Sequence, residues 1–163
     1  MGMRWGNITL SDEMKTVYTA IFAYAILMDV ELMSDTEYSE YLDVLFMNTP
    51  DDDLLLELEW CSSDMRKSIK IIYDYCTALP PDYSVVGRIL TNRAKRFYYQ
   101  GGMTLNTFCE KMYSLWKALP SDIQGDEPFH ILCYAGDPLG WGDVEQTREL
   151  YEKFFNYYSD IDD

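Results

Sequence analysis

Histidine is almost missing from this chain: His130 is the one copy among 163 residues. A Cys-His or Ser-His catalytic pair therefore has a single candidate base, and zinc would find a single imidazole ligand. The cysteines are sparse too. Cys61, Cys76, Cys109 and Cys133 contain no CxxC spacing, which argues against a zinc site, and each sits among apolar neighbours at helical intervals. They are expected to be buried free thiols in a reducing compartment. No GxSxG, phosphate loop or dinucleotide fingerprint occurs. Long apolar runs are also lacking: Val17 to Met28 stops at Asp29, well short of the roughly 20 residues a membrane-spanning helix requires. At the N-terminus, MGMRWGNITLS has no apolar leader core, and Gly6 stands where a myristoylation signal wants serine or threonine.

Positive charge is scarce: 13 lysines and arginines face 28 aspartates and glutamates, a net charge of −15. Residues 1–83 carry −11, residues 84–119 carry +5 and residues 120–163 carry −9. Such a field repels nucleic acid and anionic membrane and steers cationic partners. With 48% hydrophobic and 15% aromatic residues, the chain still has ample core material, so it is expected to fold as one acidic helical domain over residues 1–163.

Strand-type alternation is hard to find, whereas apolar residues recur at helical spacing nearly everywhere. The expected class is all-α, with six or seven helices and a helix-pair, HEAT-like arrangement as one form of packing. The expected helices run from about Ser11 to Met33, from Ser34, from Thr49, from about Ser63 to Leu79, from Ser84 to Gln100, from Thr104 to Leu119 and from Asp143 to Tyr158. In TPDDDLLLELEW, Thr49 reads as the N-cap and Pro50 as the first helical position, placing three aspartates opposite unpaired amide protons. Pro80 and Pro81 close the fourth helix, Gly101 and Gly102 the fifth. Pro120 to Pro128 reads as a polar loop. Asp143 and Gln146 resemble a capping box. Tyr73, Ala78, Leu79, Pro80 and Asp82 recur 40 residues later as Tyr113, Ala118, Leu119, Pro120 and Asp122, a spacing found in helix-pair repeats.

Asp51, Asp52 and Asp53 first suggest a divalent cation, but adjacent helical residues point about 100° apart and cannot converge on one ion. Glu37-Tyr-Ser-Glu40 is half of the ExxE…ExxD pattern of helical nucleotide pyrophosphohydrolases. Its second half is missing, because Trp60 and Ser62 stand where carboxylates are needed. Glu127-Pro-Phe-His130 has the ExxH spacing of di-iron bundles, which use two such pairs; His130 is expected to be buried or half-buried. Gly136 to Asp143 is glycine-rich without lysine and reads as a rigid turn that carries Trp141 into the last helix, where Trp141 is expected to staple the core, with an exposed anchor as the other reading. Arg88, Asn92, Lys95, Arg96 and Tyr99 share one helix face, expected to neutralise acidic neighbours, with phosphate binding as the other reading. No metal or cofactor is expected.

The acidic clusters Asp35 to Asp43 and Asp51 to Glu59, the interleaved Tyr38 and Tyr41, and the acidic C-terminal end together resemble bacterial immunity proteins of the contact-dependent inhibition or polymorphic-toxin type. The resemblance is one of kind and rests on no diagnostic motif. It implies a non-catalytic cytoplasmic inhibitor, monomeric or weakly dimeric, that binds a basic, nuclease-like toxin domain stoichiometrically. Neither nucleic acid nor membrane is an expected partner. The residues expected to meet that partner are Asp35, Glu37, Glu40, Tyr41, Asp52, Asp53, Glu57 and Glu59. An acidic nucleic-acid mimic and a helical hydrolase with a carboxylate-held metal are the other classes compatible with the sequence.

Overall fold

The computed structural model describes residues 12–162, in which every regular element is a helix. The N-terminal reading of Met1 to Ser11 lies outside these residues. Ten helical elements occur among them: α1 (Asp12–Asp29), α2 (Asp35–Asn48), α3 (Asp53–Trp60), α4 (Met65–Ala78), α5 (Tyr83–Gln100), α6 (Leu105–Ala118), α7 (Ser121–Gln124), α8 (Ile131–Tyr134), α9 (Asp137–Gly140) and α10 (Val144–Asp162). The all-α class holds, while six or seven helices is too few. The extra elements are the four-residue turns α7, α8 and α9. α7 and α9 occupy stretches expected as loop and turn and α8 lies between them, where Pro120, Pro128 and Pro138 interrupt the amide ladder and leave room for single turns alone. Among the described residues no helix is long and apolar enough to cross a membrane.

The chain folds as two compact units, Met1–Val86 and Gly87–Asp163. In the first, α1 packs on α4 and α2, and α2 packs on α3. Ile21, Ala25, Leu27, Leu42, Leu54, Leu55, Leu58 and Ile72 are fully buried here, each leucine and isoleucine contributing about 1.5–3 kcal/mol relative to exposure. α1 stops at Asp29, four residues before the expected Met33. Leu32 N donates to Leu27 O at 2.7 Å and Glu31 N to Met28 O at 3.1 Å, with Glu31 at φ +62°. This is a Schellman closure with glutamate in the left-handed position that glycine usually takes.

In the second unit α10 packs on α8 and α9, and α6 on α8. An aromatic cluster fills it: Phe108 meets Tyr151 edge-on at 5.0 Å, and Tyr98 meets Phe108 and Phe155 at 5.1 Å. Such pairs add about 0.5–1.5 kcal/mol beyond burial. Gly101 ends α5 at φ +71°, as expected of a left-handed cap. Trp141, expected in the core, is exposed, and so is Val144 beside it. Gly142 at φ +88° re-aims the chain between α9 and α10, and the core is filled instead by Tyr151, Phe154, Phe155 and Tyr158.

The 40-residue echo coincides with α4 and α6, each 14 residues long. Asp64 caps α4 by accepting from Lys67 N, and Thr104 caps α6 by accepting from Thr107 N. The succeeding helices differ: 18-residue α5 comes after α4, four-residue α7 after α6. The likeness extends over one helix with its caps and not over a helix pair.

Candidate partner-binding site

The stretch TPDDDLLLELEW is divided differently from its sequence reading. Thr49 belongs to the end of α2, where its N–H donates to Leu45 and Phe46 carbonyls and its hydroxyl to Leu45 O at 3.2 Å. Pro50 and Asp51 lie in the turn before α3. Asp52 is the N-cap of α3: its Oδ1 accepts from Leu55 N at 2.9 Å, and its Oδ2 accepts from the Tyr18 phenol at 2.6 Å. Aspartate outcompetes threonine because a carboxylate can bind the amide and the phenol together.

With Leu54, Leu55 and Leu58 turned inward, Asp53, Glu57 and Trp60 share the outer face of α3 at i, i+4 and i+7. They border an open groove of about 430 Å³ against α4, lined also by Leu56, Cys61, Lys67 and Ile71. Asp53 and Glu57 are exposed, and Trp60 is 80% exposed. The Tyr75 hydroxyl donates to Glu57 Oε2 at 3.1 Å. Burial, and then the Glu57 charge, push this phenol up to about 12, so it stays a donor at neutral pH and orients the carboxylate. Two carboxylates one turn apart, beside an indole face and above an apolar floor, suit a lysine or arginine side chain with its methylene stem.

The other expected residues fall elsewhere. Asp35 opens α2 after the Ser34 cap and accepts from Thr36 N at 2.9 Å. Glu37 is half-buried and Glu40 exposed. Tyr41 stacks on Tyr24 at 5.1 Å with one face in water, whereas Tyr38 is fully buried. Glu59 faces α2: burial, and then the neighbouring Asp43 carboxylate, raise it from 4.5 to about 7. Its Oε1 is shielded from water and meets no donor. Both facts have one cause, because two carboxylates form a hydrogen bond only by sharing a proton.

A carboxyl raised on folding adds stability that is fully present below its unfolded value, near 4.5, and is lost as pH rises to about 7. Glu59→Gln, whose amide donates to Asp43 at any pH, is therefore expected to gain about 1–2 kcal/mol over the parent at pH 8 and little at pH 5, allowing for solvent screening. Thermal melts at the two pH values check this; an equal offset at both would refute the shared proton.

Cys61 and Cys76 are buried, whereas Cys109 and Cys133 are half-buried rather than sealed; all four are free thiols. Burial, and then Asp137, raise the Cys133 thiol, the opposite of nucleophile activation. His130, expected to be buried or half-buried, is exposed and lies 3.6 Å from Cys133 Sγ. Standing just before α8, it faces outward while Phe129 and Ile131 are buried. Among the described residues no three His, Cys, Asp or Glu side chains converge to hold a metal.

Sequence reasoning missed Trp60 and the groove floor. An aromatic three residues after Glu57, on the polar face of an amphipathic helix, was the available signal. No protein-family model matches the chain, and no curated protein or solved structure is significantly similar to it.

Proposed function

We propose that the protein is a non-catalytic binding protein: an immunity protein that neutralises a basic, nuclease-like toxin domain in the cytoplasm, with the α3–α4 groove receiving that domain. The observation that carries the reading is Trp60, 80% exposed beside Asp53 and Glu57 at the groove. Large aromatic side chains in water are the anchors that interfaces bury, and carboxylates around them select cationic partners and accelerate encounter. The net charge of −15 supports the same direction of steering.

Titrating a fixed amount of a basic nuclease toxin domain tests the reading. Its activity is expected to fall linearly and vanish at one equivalent, with an unrelated DNA-binding protein left active. Complete inactivation at a small fraction of an equivalent would mean an enzyme instead, and equal inhibition of unrelated DNA-binding proteins would mean a nucleic-acid mimic.

A further inference from the structure

The second charged stripe of the molecule lies on α5. Asn92, Lys95, Arg96 and Tyr99 stand at i, i+3, i+4 and i+7, hence on one face, and all four are exposed, Tyr99 by 61%. Residues 83–100 contain no carboxylate. Among the described residues neither Lys95 nor Arg96 forms an ion pair. Arg88, two turns earlier, is engaged differently, stacked 5.0 Å above the Tyr158 ring.

The outer face of α2 has the same spacing and the opposite charge. Glu40, Asp43, Val44 and Met47 also stand at i, i+3, i+4 and i+7, and all are exposed, Met47 by 76%. Each stripe joins polar or charged positions, two on α2 and three on α5, to an apolar end: Met47 with Val44 on α2, Tyr99 on α5. Neither is covered by the described residues of the chain itself.

We propose that the α2 stripe of one copy docks on the α5 stripe of a second copy, so that the protein self-associates through helix faces of opposite charge. Two helices carrying i, i+4 ridges interdigitate at 8–10 Å between axes, which brings Lys95 and Arg96 within reach of Glu40 and Asp43 and sets Tyr99 against the apolar side chains. The repulsion between two copies of net charge −15 is long-ranged and fades beyond a Debye length of roughly 8 Å at physiological salt, while the contacts themselves are local. The area is small, so association is weak and falls with added salt. The stripes do not include Asp53, Glu57 or Trp60, and this inference does not rest on the groove.

Sedimentation equilibrium at about 150 mM, where the net repulsion is already screened within roughly 8 Å, and at about 500 mM salt tests it. At low salt the weight-average mass is expected to exceed the monomer's 19.1 kDa and at high salt to return to it. Lys95→Glu/Arg96→Glu and Glu40→Lys/Asp43→Lys should each be monomeric alone, and their equimolar mixture should associate again, since each supplies the stripe the other needs. Restored mixing also shows that both variants are folded. Asp53→Lys/Glu57→Lys should self-associate like the parent. A parent that stays monomeric at low salt, or a Lys95→Glu/Arg96→Glu variant that associates normally, overturns the proposal. So does a monomeric parent whose α5 stripe instead retains a single-stranded oligonucleotide in a gel shift that the variant abolishes.

Discussion

Gly87→Ala is expected to destabilise the protein by about 2–3 kcal/mol, although alanine is the better helix former by about 1 kcal/mol. Gly87 lies inside α5 and is buried. A methyl group there would collide with the phenol end of Tyr158, 2.8 Å from Cε2 and nearer still to the hydroxyl. Glycine is what lets α10 lay an aromatic ring directly on the α5 backbone. The added carbon would expel a side chain that is only 7% exposed and supports the Arg88 stack. Chemical denaturation of the single and double variants checks this. Tyr158→Leu costs stability by itself, but Gly87→Ala should then cost far less in its background, a coupling of at least about 1 kcal/mol. Additive losses would mean that the ring moves aside freely and that the close approach carries no energy.

The second large effect is at Asp52. Asp52→Ala is expected to cost about 2–4 kcal/mol, because one carboxylate performs two tasks. The cap on Leu55 N contributes about 1 kcal/mol. The bond that the carboxylate accepts from the Tyr18 phenol at 2.6 Å, on a ring that is 7% exposed, contributes the rest. Tyr18 is pushed up by burial and then by Asp52, so it remains a neutral donor throughout the physiological range. Asp53→Ala, one residue on and exposed, should change stability by less than about 0.5 kcal/mol. Equal melting temperatures for the two variants would contradict this division. Lysine at Asp52 is consequently a poor probe of partner binding, because it disturbs the start of α3 as well as the surface charge.

Helix class, most starts and most stops were legible because they depend on local chemistry. Ser34, Thr104 and Asp143 cap where a short polar side chain precedes an apolar periodicity, and Gly101 terminates where a left-handed residue is needed. Thr49 is not the cap of α3 because its rival Asp52 wins through Tyr18, 34 residues away, a contact no local window contains. Trp141 stays outside for a similar reason. Whether a tryptophan enters a core depends on the space left by Tyr151, Phe154 and Phe155, and that is a tertiary fact. Of the expected partner residues, Asp53 and Glu57 come together because helical spacing alone puts them on one face. Glu59, two positions on, turns away toward Asp43, and the groove wall contributed by Lys67 and Ile71 requires the packing of α3 against α4.

The most direct measurement is calorimetric titration of a basic nuclease toxin domain with the parent, Asp53→Lys/Glu57→Lys and Trp60→Ala, each first shown to melt like the parent. Binding at one equivalent by the parent is expected to weaken at least about 100-fold in either variant, as loss of a hot-spot anchor or reversal of two contacting charges implies. Parent-like affinity in both folded variants would contradict the assignment of the α3–α4 groove as the surface that holds the partner.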